Sequence, residues 1–397
     1  MSGNFITNPF PSSLDGIEQV TAVIEEFGQD IGFGHDVENC EVVGGSNNYV
    51  VMFSYIPDTS SRPGSREKFI LRTRKNKLID TTYMVDDSTA RAVAVMHTYG
   101  HGGPSASLLP IPAILAYDGT CDNPIKCPFI IQRKAAGKTL EEHYKILNSS
   151  IPSTDSYDLT ERLKFAEEIA KLIANMENNF TFSEYGRLND SGDMPSSDMD
   201  FVGSTMKICI YGTPIDTDDM TISTKPDYQN FISSLVDAWT APTTSHPTQA
   251  YLNDLSKLRQ IFEEMSNAGL FGRYNHTPTL FHPDLYPRNV IFDCVEPRDI
   301  ELTAVIDWDD AVVLPRIMTR KPPYWLWNRH RLPPSEQQTI KRHFYDYIER
   351  LIPGYRNEAD GREAVLLRAL SMYAFRGPGW RYHRDLRLRI WWKNGRM

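Results

Sequence analysis

Long hydrophobic runs are missing from this 397-residue sequence: no apolar stretch approaches the roughly 20 residues that a membrane-spanning helix needs. Met1 to Pro11 carries neither the charged nor the apolar region of a secretory signal, so no membrane partner is expected. Cysteine is scarce. The five present are irregularly placed, one must stay unpaired, and Cys121 and Cys127 have no second pair that would complete a metal site. Reduced thiols in a cytoplasmic protein are the simplest account. Basic charge is in deficit, with 42 Lys and Arg against 51 Asp and Glu and a net charge of −9. That excludes a general nucleic-acid binder, which collects positive surface to displace counterions from phosphate. The exception is Arg376 to Met397, where Arg381, Arg389 and Lys393 alternate with Trp380, Trp391 and Trp392. Its aromatics are expected to pack on the protein and its arginines to answer acidic surface, rather than to bind RNA or a membrane. Internal repeats and low-complexity tracts are absent as well.

What is present is a globular composition, long enough for a two-lobed enzyme, and one informative segment. Phe281-His282-Pro283-Asp284 runs on to Asn289, and Ala304-Val305-Ile306-Asp307-Trp308 follows. The order is H-x-D-x-x-x-x-N, a strand, a turn, a second strand and an acid. Val290 to Asp293 and Leu302 to Ile306 are short apolar runs, and the stretch between them, Cys294 to Glu301, is rich in turn formers. That predicts a hairpin. Asn289 immediately precedes its first strand and Asp307 follows its second, so antiparallel pairing delivers both side chains to one open end. One Mg²⁺ would bridge them, because magnesium takes few protein oxygens and fills its shell with water and phosphate. Asp284 lies on the loop feeding that end, in reach of an acceptor hydroxyl. Protein kinases use the same order, the Asp meeting the substrate hydroxyl and the Asn and later Asp holding metal. Taken singly, Asn289 could cap a turn and Asp307 could be a solvated strand end. His282 reads as a structural hydrogen-bonding residue, since Asp284 already occupies the proton-handling position.

On these residues the sequence resembles the aminoglycoside phosphotransferase-like small-molecule kinases, their fungal members above all. The resemblance runs from about Glu41 to about Arg316 and is strongest from His282 to Trp308. Shorter matching pieces are Gly44-Gly45-Ser46-Asn47-Asn48, Phe69-Ile70-Leu71-Arg72, Ile111 to Asp118 and Pro128 to Gln132. The resemblance implies an α+β, protein-kinase-like fold of two lobes, an antiparallel β N-lobe and a mainly helical C-lobe. It divides the chain into an N-terminal helical extension (1–36), a nucleotide-binding N-lobe (37–134) and a helical C-lobe with the catalytic loop and basic tail (135–397). ATP and Mg²⁺ are the implied cofactors. The implied reaction is phosphoryl transfer to a small-molecule hydroxyl.

Within the N-lobe, Cys40 to Val43 and Tyr49 to Tyr55 read as strands joined by a glycine-containing turn, whose exposed N–H groups at Gly45, Ser46, Asn47 and Asn48 would cover phosphates. An ordinary hairpin is the alternative. Arg72, in the strand Lys68 to Thr73, aligns with the family's phosphate-binding cation; alternatively it is a solvated charge at a strand end. Phe129 to Gln132 leads into the hinge, where backbone from about Gln132 to Ala135 would meet adenine and Gly137 would supply the turn.

One feature departs from the family. In the helix Asp86 to Tyr99, Ala92 or Arg91 occupies the place of the Glu that usually pairs with the phosphate-binding cation. Either another acid substitutes or nucleotide binding is weakened, and the second possibility keeps open a catalytically weak kinase-like nucleotide- or ligand-binding protein. A metal-dependent hydrolase built on Asp284, Asp307 and Asp310 is a third reading, disfavoured by the shortage of His ligands. Around the acceptor, Glu161, Glu168, Glu264 and Asp310 beside Tyr324, Trp325 and Trp327 would suit a cationic amine, although charged helix faces are usually solvated and Trp-rich segments usually belong to the core. Further helices are predicted at Leu14 to Ile31, Asp158 to Asn178, Tyr228 to Trp239, Tyr251 to Ala268, Glu336 to Leu351 and Ala359 to Phe375, with surface loops at Asn189 to Asp200 and Thr240 to His246.

Overall fold

Val51 and Phe53, like Phe69 and Leu71, stand two residues apart, the period that sends alternate side chains to one face of a strand; all four are buried. They lie in the computed structural model on neighbouring strands of a five-stranded antiparallel sheet. Its members are β1 (Val37–Gly44), β2 (Asn48–Tyr55), β3 (Glu67–Arg74), β4 (Ile114–Asp118) and β5 (Phe129–Arg133), in the order β1-β2-β3-β5-β4. The structure describes residues 18, 20–23, 26, 37–44, 48–55, 67–74, 109–120, 122–125, 127–149, 157–186, 209–210, 213–214, 227–239, 249–274, 277–296, 299–328 and 332–376. The expected Asp86 to Tyr99 helix, both expected surface loops, Gly45 to Asn47, Cys121 and the tail beyond Arg376 lie outside them. Of the helix expected over Leu14 to Ile31, positions 18, 20–23 and 26 are helical, and Val20 and Val23 join the core beneath this sheet with Ile125, Phe129 and Ile131.

After the sheet come β6 (Lys138–Thr139) and α1 (Leu140–Ser149). Then follow α2 (Tyr157–Asn179), the short pair β7 (Cys209–Ile210) and β8 (Thr213–Pro214), α3 (Tyr228–Ala238), α4 (Gln249–Asn267) and β9 (Pro278–Phe281). The hairpin strands are β10 (Val290–Glu296) and β11 (Asp299–Val305). The remaining elements are β12 (Val312–Pro315), α5 (Arg316–Thr319), α6 (Pro334–Leu351), α7 (Tyr355–Asp360) and α8 (Arg362–Arg376). An antiparallel N-terminal sheet followed by a mainly helical C-terminal part is the architecture that the family resemblance implies.

Two compact units emerge. The first comprises Met1–Ile151, Asn189–Met199 and Asp284–Ala311, so the hairpin β10–β11 belongs with the N-terminal sheet; the second comprises Pro152–Leu188, Asp200–Pro283 and Val312–Met397. In the second, α3, α4 and α8 share an apolar core that includes Phe231, Leu235, Leu258 and Leu367. Trp239 Nε1 donates to the Ala374 carbonyl at 2.6 Å, tying α3 to α8. A buried ion pair, Arg320 with Glu177, holds the segment after α5 to α2, with Arg320 Nε 2.9 Å from a Glu177 oxygen. The single helix expected over Ala359 to Phe375 is two: Gly361 interrupts it with ψ 131°, and a Cβ there would overlap the Asn357 carbonyl.

Candidate active site

The hairpin builds the site from its backbone outward. Val290 pairs with Val305, both fully buried, and the Ile306 N–H donates to the Asn289 carbonyl at 2.9 Å. Asn289 and Asp307 are therefore brought to the same end of the ribbon. The pairing runs farther out than the expected turn allowed, because Asp299 and Glu301 are outward-facing members of a strand whose Ile300 points inward. Polar residues at alternate positions imitated a loop.

Asp284 is fixed by its own loop. Its carbonyl accepts the Tyr286 N–H at 2.8 Å, and Pro287, with φ preset by its ring, starts a 3-10 turn that ends at Asn289. Asn289 is 5% exposed and spends both amide protons on Asp284, donating at 2.9 Å to the carbonyl and 2.8 Å to Oδ2. Its Oδ1 is thus the atom left to meet a cation. Arg288 Nη2 reaches Oδ1 and Oδ2 of Asp284, each at 2.6 Å. A carboxylate offers about four acceptor sites, and these bonds occupy one on Oδ1 and two on Oδ2. Room for an incoming hydroxyl is left on Oδ1.

Asp307 stands in the left-handed backbone region, with φ 69° and ψ 53°, and among the described residues no other non-glycine residue has positive φ. Such a conformation costs an L-residue energy and gathers at functional positions. It ends the run of β11 and turns the chain into the 3-10 segment Trp308–Asp310. Trp308, fully buried, anchors that segment by donating Nε1 to the Val305 carbonyl at 2.9 Å. Arg72 comes in from β3: Nη1 meets Asp309 Oδ2 at 3.0 Å, Nη2 meets Asp309 Oδ1 at 2.7 Å, and Nη1 is 3.5 Å from Asp307 Oδ1. Asn48 Nδ2, at the start of β2, donates to Asp309 Oδ2 at 3.4 Å. Asn48, Arg72, Asp284, Asn289 and Asp307 all belong to the first unit.

This donor set fits magnesium. Asn289 Oδ1 and the Asp307 carboxylate are hard oxygens, and two protein ligands suffice when phosphates complete the shell. Among the described residues no group of three His, Cys, Asp or Glu is placed to hold a metal by itself. Against known families, the model of APH, the phosphotransferase enzyme family, matches residues 31–318. The chain belongs to this family. Comparison with curated proteins gave no match. A phosphotransferase takes a donor and an acceptor, and kinases of this family typically use ATP and Mg²⁺.

Elsewhere in this phosphotransferase the expected residues are placed as follows. Gln132 is buried in β5, paired with Ile70 on one side and Ile114 on the other. The next two N–H groups are already used, Arg133 donating to Ala113 at 3.1 Å and Lys134 to Lys68 at 2.9 Å. Gly137 has φ +90°, and a Cβ would overlap the Phe292 carbonyl. His282, at the end of β9 in the second unit, is 3% exposed. Gly45, Ser46 and Asn47 lie outside the described residues, as do Ala92 and the side chain of Asp310. The acids expected around a cationic acceptor show local pairing: Glu168 takes Lys171 at 2.6 Å and Glu264 takes Gln260 at 3.3 Å, each along its own helix. Trp327 is core, packed on Phe344 and Tyr345. No described helix is long and apolar enough to cross a membrane.

Sequence reasoning missed two residues of the site. Arg288 carried a signal, a cation four residues after Asp284. Asp309 carried only its position two residues past Asp307, which does not reveal that the 3-10 turn swings it toward β3.

Proposed function

We propose that this phosphotransferase is an ATP- and Mg²⁺-dependent kinase acting on a hydroxyl of a small molecule. The observation that supports it most is the convergence of Asp284, Asn289 and Asp307 at one end of the hairpin, with Arg72 3.5 Å from Asp307. Asp284 orients the acceptor hydroxyl through Oδ1 and accepts its proton late in the transfer. Asn289 Oδ1 and Asp307 are the atoms that would hold metal, and Arg72 faces the phosphates, joined by the N–H groups of the Gly45 to Asn48 turn. Because the Arg133 and Lys134 amides serve the sheet, adenine contacts fall to the following backbone, toward Ala135 and Ala136. His282 has a structural rather than a proton-handling role. Mg–ATP held there would supply the phosphoryl group and the charge neutralisation that its transfer needs. The protein contributes position and fixed dipoles, with no covalent intermediate on its side chains.

The Asp309–Arg72 pair supports this reading over the weak-kinase alternative, which rested on a cation without an acid. Incubation with a metabolite extract and γ-labelled ATP tests the reading: mass spectrometry is expected to find a product heavier by one phosphoryl group. Asp284→Ala is expected to abolish that product and to keep Mg–ATP affinity within about threefold, because Asp284 meets the acceptor rather than the nucleotide. Equal product from wild type and Asp284→Ala refutes the assignment. Mg–ATP binding with slow turnover and no acceptor in any extract favours a sensor instead.

A further inference from the structure

We propose that Asp309 is the positioning residue that aims Arg72 at the nucleotide's phosphates. The inference rests on the phosphotransferase reading above. The two bonds at 3.0 and 2.7 Å join both guanidinium Nη atoms to both carboxylate oxygens. That fork fixes the plane of the guanidinium, which a single contact would leave free to rotate. The side chains are 13% and 19% exposed, so water and salt screen the pair less than they would on the surface.

The fork engages one N–H on each Nη, and the Nε–H is not among the donors it uses. Asp309 therefore orients the cation without consuming it. Asn48, the first residue of β2, bonds the same carboxylate and so shares the anchor of Arg72. Trp308, buried between the two acids, holds the 3-10 turn that carries both Asp307 and Asp309. One short turn then sets the metal ligand and the phosphate-binding cation together.

Calorimetry on the full chain, with Mg–ATP and with adenosine as separate probes, tests the proposal. Asp309→Ala is expected to weaken Mg–ATP binding about 10- to 100-fold, the range typical when a supporting carboxylate is taken from a functional side chain. Adenosine affinity is expected to stay put, because only phosphates meet Arg72. Arg72→Ala should show the same loss, and the double variant should bind no more weakly than Arg72→Ala alone. Asp309→Asn, which keeps the shape and one acceptor oxygen, should fall between and serves if the alanine variant folds poorly. Additive losses in the double variant, or adenosine weakening in step with ATP, would overturn the role of Asp309. If wild type itself binds no Mg–ATP, the kinase reading fails and takes this inference with it. Wild-type affinity in Asp309→Ala sinks the inference alone.

Discussion

Replacing Asp307 by glycine is expected to abolish phosphoryl transfer while leaving the fold as stable as wild type or slightly more so. The reason is its backbone, held at φ 69° and ψ 53°. For an L-residue that region costs about 1–2 kcal/mol, with Asp and Asn at the low end because their short polar side chains bond locally. Glycine escapes the penalty but loses about 0.5–1 kcal/mol through the greater freedom of its unfolded chain. The balance for Asp307→Gly is a change of about 0 to 1 kcal/mol in favour of folding. Asp307→Ala keeps the Cβ and loses the polar group, so it should be less stable than the glycine variant by about 1 kcal/mol. Asp307→Asn should match wild type. The contact between Asp307 and Arg72 is 3.5 Å long and the Asp307 side chain is 38% exposed, so its loss adds little. Urea unfolding midpoints of the four proteins give the order, and single-turnover transfer assays give activity. Alanine as stable as glycine would show that no strain is stored at this position. Transfer retained by the glycine variant would show that Asp307 is not a metal ligand.

Gly137→Ala is expected to destabilise the protein by about 2 kcal/mol or more, since it combines positive φ with a side chain driven into the Phe292 backbone. Gly119→Ala, where nothing lies within 4 Å, is the control and should unfold in urea like wild type. Arg288→Met should change stability by less than about 1 kcal/mol, because the arginine side chain is 57% exposed. It should nevertheless lower kcat about tenfold or more with the KM for Mg–ATP unchanged, because it frees Oδ1 of Asp284, the oxygen proposed to meet the acceptor, to turn away from it. An unchanged kcat would mean that Asn289 alone orients that carboxylate.

The sequence exposed the hairpin because apolar runs at Val290 to Asp293 and Leu302 to Ile306 are short, flanked by turn formers and bracketed by Asn289 and Asp307. It exposed β2, β3 and the long helices for similar reasons of period. The helix α1 escaped, although a signal was present. Thr139 and Glu142 form a capping box in which the Thr139 N–H donates to the Glu142 carboxylate at 2.8 Å and the Glu142 N–H donates to Thr139 Oγ1 at 3.2 Å. The Thr139 hydroxyl, which donates to the same carboxylate at 2.8 Å, together with the Thr139 N–H and the neighbouring Lys138 and Lys145, holds the Glu142 carboxyl below its ordinary value despite partial burial. β9 and β12 escaped for a different cause: each has four residues and gains its order from the other, through pairs such as Leu280 with Val313. The partner of Arg72 escaped for the same reason, 237 residues away along the chain. Local pattern reveals elements; pairing over such distances is decided by the fold.

Thr303 offers one hydroxyl proton to two carbonyls, Ala136 at 2.7 Å and Ile291 at 3.2 Å. The strap expected beside the purine is thereby sewn to the back of the ribbon that ends in Asn289, and Gly137 presses against the same ribbon one residue along. If the proposed reading holds, a change of preference between adenine and guanine that shifts this strap also shifts the side chains proposed to hold the divalent ion. Base choice and metal requirement should therefore drift together among descendants of this sequence, and engineering one while holding the other constant will need compensating changes at position 303.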